Sequence, residues 1–186
     1  KLRRPRGYRT PILDRKLTRQ RLSVEARVLG KLQLLDFSSP SLFDLDLDAG
    51  WILISKFEGM TLYQSLNEGQ DVSLKIKLFG KLIRKLHELG ISHGDLTTHN
   101  VLINNDNKLH LIDFGLSRLL PELEHLGLDL QVLNECLTSS HSEHEGAIET
   151  MISGYLEADS KNLINISANE VISRFNEIRG RVRYHA

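Results

Sequence analysis

The chain of 186 residues is poor in several things: it has one cysteine, four prolines, one tryptophan and only 6% aromatic residues. A lone Cys136 cannot close an internal disulfide, which excludes a disulfide-stapled scaffold and fits a reducing, intracellular setting. Few prolines and 13 unpatterned glycines exclude collagen-like and low-complexity chains. Long hydrophobic runs are missing as well. The longest apolar stretches, such as Trp51–Ile54, are far too short to span a bilayer, and no signal peptide is visible. No membrane is expected, and residence is expected in the cytoplasm with the nucleus left open. What is present, 40% hydrophobic and 26% charged residues, is ordinary for a globular protein of one domain or two small lobes sharing a cleft.

Net charge is zero, with 24 basic against 24 acidic residues, yet the signs are not evenly spread. Residues 1–31 hold eleven Lys or Arg against Asp14 and Glu25, and the last thirteen residues hold four Arg against Glu177. Two basic ends flank an acidic body. This suits contact with a polyanion through phosphate charge, and a solvated basic face equally well.

Periodicity predicts a helix from residue 18 to about 35, with Leu22, Leu29 and Leu32 on one face. Glu25 falls on that same stripe, where a carboxylate needs a cation because an unpaired buried charge is costly. Strands are predicted over 42–47 and 51–57, joined by a turn at 48–50, and a short helix over 61–67. Asp71 is placed to cap a longer helix ending before Gly90. Two further strands, 101–103 and 109–112, flank the turn-forming run Asn104-Asn105-Asp106-Asn107-Lys108, and beyond residue 120 the chain reads as helical to its end.

The chemistry concentrates in His93-Gly94-Asp95-Leu96-Thr97-Thr98-His99-Asn100 and, eighteen residues after Asp95, in Asp113-Phe114-Gly115. Phosphoryl transfer needs a carboxylate to orient an attacking hydroxyl and hard oxygen ligands to hold Mg2+ on the phosphates. Asp95 suits the first task, and Asn100 and Asp113 suit the second, with the 101–112 hairpin drawing these two together. Asp-Phe-Gly alone is a weak signal. In order after H-x-D-L-x-x-x-N, and joined to it by strand–turn–strand, it is a strong one, although Gly94 stands where protein kinases usually have Arg. His93 reads as a packing residue that supports the loop, His99 as exposed and Cys136 as a small buried residue. The segment His141-Ser142-Glu143-His144 reads as a solvated helix start rather than a zinc site. Tyr8 is expected to pack on the front lobe.

This constellation resembles the small atypical serine/threonine kinase of the KEOPS (EKC) complex, related to the RIO kinases, whose loop reads H-G-D-L-T-T-x-N and whose strand end reads I-D-F-G-L-S. Here these are His93 to Asn100 and Ile112-Asp113-Phe114-Gly115-Leu116-Ser117. The front also matches, through Lys1-Leu2-Arg3-Arg4-Pro5-Arg6-Gly7-Tyr8-Arg9, Pro11, Leu13-Asp14 and Glu25-Ala26-Arg27, as does the basic tail Ile178-Arg179-Gly180-Arg181-Val182-Arg183. The resemblance implies Lys1 as the phosphate-contacting lysine, Glu25 as its helix partner, Asp129 as a brace of the catalytic loop, and backbone groups of Ser55 and Phe57 facing an adenine base behind Ile54. Two departures stand out. His99 replaces a usual Ser, and no glycine-rich loop precedes Lys1, so a fragment truncated ahead of Lys1 is expected.

The expected fold is α+β, a bilobal protein-kinase-like fold with a reduced mixed front lobe (1–57) and a helical rear lobe (58–186). The expected cofactors are ATP and Mg2+. By resemblance, the function is that of the kinase/ATPase subunit supporting threonylcarbamoyladenosine modification of tRNA. Its partners would be the sugar-kinase-like transferase subunit, other KEOPS subunits and nearby tRNA. Only 13 residues separate Gly115 from Asp129, with no Ala-Pro-Glu, so there is little room for a peptide platform or phospho-switch. The rivals are a small-molecule phosphotransferase of the aminoglycoside or choline type and a non-enzymatic pseudokinase scaffold.

Overall fold

A computed structural model describes residues 1–3, 10–104, 106–160 and 165–183. Residues 4–9, with Tyr8 among them, Asn105 of the turn and the last three residues of the tail lie outside the described residues. Helix α1 (Pro11–Leu34) begins earlier than its periodicity suggested. Its first turn carries no apolar stripe, Ile12 and Leu13 being exposed, but Pro11 is tolerated at the first helical position and Thr10 Oγ1 accepts the Leu13 N–H at 3.4 Å. From Leu22 onward its inner face is Leu22, Glu25, Val28, Leu29 and Leu32, all buried.

Strands β1 (Leu42–Asp46) and β2 (Trp51–Ile54) form an antiparallel hairpin in which Asp46 faces Trp51. The turn between them is set by Asp46 Oδ1, which accepts the N–H groups of Asp48 (2.9 Å) and Ala49 (2.8 Å). Residues 1–3 run antiparallel along β2. Leu2 bridges to Trp51, Ile52 donates to the Lys1 carbonyl at 3.0 Å, and Arg3 donates to Gly50 at 3.1 Å. The strand expected over 51–57 stops at Ile54, because Ser55 turns to Ser41: its N–H meets the Ser41 carbonyl and its Oγ accepts the Ser41 N–H, both at 2.9 Å.

Next come β3 (Met60–Thr61) and α2 (Leu62–Asn67), opened by a Thr61/Gln64 capping box. Helix α3 (Val72–Glu88) is not capped by Asp71 as expected. That residue takes a left-handed backbone (φ 50) instead of the extended one a cap uses, and its side chain makes no capping bond. Strand β4 (Ile91–Ser92), a 3-10 turn (Thr98–Asn100), β5 (Val101–Ile103), β6 (Leu109–Leu111) and β7 (Arg118–Leu119) follow. Strands β3, β5 and β6 make one small sheet and β4 pairs with β7.

The rear of the chain is not one helical run but α4 (Leu123–Ser140), α5 (Ala147–Glu157) and α6 (Ala168–Arg183). The expected helix start at His141–His144 is instead the loop between α4 and α5, with His141 only 1% exposed. Helices α3 and α5 approach to backbone contact at Gly80 and Gly154, where a Cβ would lie 2.1 Å from the Met151 carbonyl and 2.0 Å from that of Lys77. Around this crossing Phe79, Ile83, Leu86, Met151 and Tyr155 are fully buried. No helix of the described residues is long and apolar enough to cross a membrane.

Candidate functional site

Residues 1–3 form an extended segment, so Lys1 and Arg3 project to the same side, over the buried face of α1. Lys1 Nζ lies 2.7 Å from Glu25 Oε1 and 2.9 Å from Asp113 Oδ1. Arg3 spans the same two acids at 3.2 Å each. This is the cation that Glu25, 1% exposed, required. Burial pushes the Asp113 carboxyl up, but the hydrogen bond and charge of Lys1, then Arg3, outweigh it and hold the group below its ordinary value. Arg3 escaped the sequence reading; the signal was its place two residues from Lys1 in a chain that alternates sides. Its Nε is buried with no partner among the described residues, beside the Asp113 cluster.

Below this cluster lies the loop from His93 to Asn100. Asp129, on the Leu126/Leu130/Leu133 face of α4, accepts the N–H of His93 at 2.6 Å and that of Gly94 at 2.8 Å. His87 Nε2 approaches the same carboxylate at 3.2 Å, and its Nδ1 meets the Tyr155 hydroxyl at 2.8 Å. His87 and Tyr155 were not anticipated, although a histidine beside Leu86 on the buried face of α3 was visible as a polar residue needing partners. His93 Nε2 donates to the Ile112 carbonyl at 3.1 Å, since a carbonyl only accepts, so its Nδ1 is left to accept the Asp95 N–H at 3.3 Å. Burial lowers the His93 pKa, against the raising effect of Asp129, and favours this neutral ring.

Gly94 explains its own presence. Its φ is 79, and a Cβ there would fall 2.2 Å from the Leu116 carbonyl. The chain after Asp113 folds straight back onto the loop: Ser117 Oγ donates to the His93 carbonyl at 2.9 Å, Leu120 donates to Gly90 at 2.9 Å, and β7 pairs with β4. An arginine at position 94 has no room.

Asp95 is exposed, and Asn100 Nδ2 donates to its carbonyl (2.8 Å) and to its Oδ2 (3.0 Å). Asn100 Oδ1 therefore points away as an acceptor. Its backbone carbonyl takes the Ile112 N–H at 3.0 Å, so Asn100 and Asp113 stand on either side of one hydrogen bond that closes the β5–β6 hairpin. An amide oxygen and a carboxylate held below its usual pKa are the hard donors a Mg2+ ion takes, and the cations above them suit a polyphosphate. The residues present fit both groups. Ser55 and Phe57 lie beyond β2; the Ser55 N–H is engaged by Ser41, and the Phe57 ring stacks on His110 at 3.8 Å. His99 is exposed and stacks on Tyr63 at 4.2 Å, and Cys136 is half-buried with Sγ 3.5 Å from Thr98 Oγ1.

A family model described as a protein kinase domain matches residues 59–145. The chain is 35% identical to the EKC/KEOPS complex subunit BUD32 of Yarrowia lipolytica, over 98% of this chain and 81% of that protein. It is 33% identical to the KEOPS complex subunit Bud32 of Pyrococcus abyssi, over 95% of this chain and 80% of that one. A protein of Methanocorpusculum labreanum named "Probable bifunctional tRNA threonylcarbamoyladenosine biosynthesis protein" is 38% identical over 99% of this chain, which spans only 32% of that longer protein. Among solved structures, a Rio2 kinase–ADP/Mg2+–phosphoaspartate complex from Chaetomium thermophilum superposes with a TM-score of 0.57 at 16% identity, over 96% of this chain and 60% of that one. The fold is thus protein-kinase-like.

Proposed function

The chain belongs to the family of Bud32 subunits of the KEOPS complex, and on that premise we propose that it is the ATP-dependent kinase and ATPase subunit of such an assembly, supporting threonylcarbamoyladenosine modification of tRNA. The observation that carries the reading is the meeting of Lys1, Arg3, Glu25 and Asp113 directly above a loop whose Asp95 is oriented by Asn100. Bound Mg2+–ATP supplies the phosphoryl group and the cation that offsets its charge. Glu25 holds Lys1 and Arg3 where phosphate oxygens arrive, Asn100 and Asp113 offer oxygens to the metal, and Asp95 orients and takes the proton of a hydroxyl or water. Backbone groups of Ser55 and Phe57 would meet the base; the Ser55 N–H is already bonded to the Ser41 carbonyl, which leaves the Ser55 carbonyl for that task. The smaller, front part ends near Phe57.

The short return from Gly115 to β7, pinned by Ser117 and Leu120, favours ATP turnover coupled to a partner over broad phosphorylation of peptides. The names of the relatives favour this reading over a small-molecule phosphotransferase. The partners we propose are the sugar-kinase-like transferase subunit and other KEOPS subunits, with tRNA against the basic ends.

The test is Mg2+-dependent ATP turnover by the full-length gene product, with and without the partner subunit and tRNA, beside Asp95→Ala and Asp113→Ala. Partner-stimulated turnover that both substitutions abolish is expected. No turnover in any mixture, with partner binding unchanged in both variants, would leave a scaffold and overturn the enzyme reading.

A further inference from the structure

The loop between α4 and α5 gathers three side chains that the nucleotide site does not use. His141, Glu143 and His144 each offer one ligand atom, and these atoms all lie within 4.8 Å of one another. His144 Nε2 donates to the Leu66 carbonyl at 3.2 Å, since a carbonyl only accepts, and lies 3.4 Å from Glu143 Oε1, so Nδ1 is the nitrogen that His144 offers to a metal. His141 is buried to 1% exposure, and its two ring nitrogens differ in kind. Nε2 is held by Thr98 Oγ1 at 3.0 Å, whereas Nδ1 is buried with no hydrogen-bond partner among the described residues. An orphan imidazole nitrogen in the interior costs free energy unless something pairs with it. Leaving it unpaired beside a second histidine and a carboxylate is the arrangement a metal ion resolves.

We propose that His141, Glu143 and His144 form a binding site for one zinc-class divalent ion, which fastens the α4–α5 loop to the turn carrying Asn100. Two imidazoles and one carboxylate are a borderline-soft donor set, so Zn2+ is bound in preference to Mg2+, which demands six oxygens in near-octahedral array. His141 binds through Nδ1, and the Nε2–H donates to Thr98 Oγ1, the outer partner that fixes the tautomer of a ligating histidine. Thr98 opens the 3-10 turn that ends at Asn100, so the ion's hold passes to the catalytic loop through one hydrogen bond. Three protein ligands leave a fourth position open to water. The two rings are near-parallel at 6.2 Å, and the Leu66 carbonyl that accepts from His144 Nε2 is the outer partner of that ring, as Thr98 is of His141.

The test uses the full chain, stripped with a chelator, and Zn2+ alone as the probe. Its binding is followed by competition with a chromophoric chelator in the presence of excess Mg2+, and Co2+ is substituted to read the coordination geometry. One ion per chain, a tetrahedral cobalt spectrum, and a rise of roughly 5–10 °C in Tm at about 100 times Kd are expected. Glu143→Ala and His144→Gln, both at side chains that reach solvent, are each expected to weaken binding by at least about tenfold. Because Glu143 is more than half exposed, its variant folds even where His144→Gln does not, and circular dichroism checks both. Stoichiometric binding that survives in both variants, several weak sites in place of one, or no binding in the presence of Mg2+ would each overturn the proposal.

Discussion

Asp129 and Asp113 carry the same carboxyl group on opposite sides of one loop, in opposite surroundings. The Asp129 side chain is 3% exposed and is satisfied by two backbone amides and the His87 ring; the Asp113 side chain is 41% exposed and is held by two flexible cations. Amide donors fixed by the chain set a geometry and have no other use. Cations on long side chains neutralise a charge and remain able to move to another one. The first arrangement holds the loop from His93 to Asn100 in place, and the second leaves the Asp113 carboxylate able to change partners above it.

The comparison is broken most strongly at the brace. Asp129→Ala strands two buried amides and the His87 ring, and should cost about 3–5 kcal/mol of unfolding free energy, read from the urea midpoint. A loss under about 1 kcal/mol would mean that water replaces the carboxylate and that the brace is not structural. Gly94→Ala comes next. A left-handed backbone and a clash with the Leu116 carbonyl together should cost about 2–4 kcal/mol and shift the loop, so turnover should fall along with Tm.

Asp113→Asn sharpens the contrast, because asparagine also tolerates the positive φ of 63 at this position and removes only the charge. Turnover should drop by at least about 100-fold, while stability, with Lys1 and Arg3 still paired to Glu25, should change by under about 1 kcal/mol. Equal losses in both measurements would erase the distinction between the two aspartates.

The smallest effect is in pH. Burial lowers the pKa of His93, and lowers that of His110 with Lys108 adding to it, so the unfolded chain takes up protons near pH 6.5 before the folded one does. Stability from these groups is therefore fully present above about pH 6.5 and is lost as pH falls through 6 toward the folded pKa values, by at most about 1.4 kcal/mol per pH unit for each proton. Urea unfolding at pH 7.5 and 5.5 reads this slope. A slope of the opposite sign would mean that the rings are charged in the fold.

Much of the site was legible in order and spacing. The two motifs, the hairpin between them and the buried acid on α1 are local patterns, and 3.6-residue and 2-residue periods reveal them without knowing the fold. Legibility failed where local signals were silent or shared. The first turn of α1 had no apolar stripe, Asp71 looked like a cap until its backbone turned left-handed, and His141–His144 resembled a solvated helix start because polarity says nothing about burial.

By itself the sequence determined which chemical groups exist and in what order. It supplied Asp95, Asn100 and Asp113 on a loop–strand–turn–strand frame, and on α1 a glutamate that demanded a cation. Only the tertiary structure decided that Arg3 joins Lys1 on that glutamate, that Leu116 leaves room for glycine alone at position 94, that His87 reaches Asp129, and that one nitrogen of His141 is buried with no partner among the described residues. These contacts join residues far apart in the chain, and their distances are set by how helices and hairpins pack, which no local period encodes.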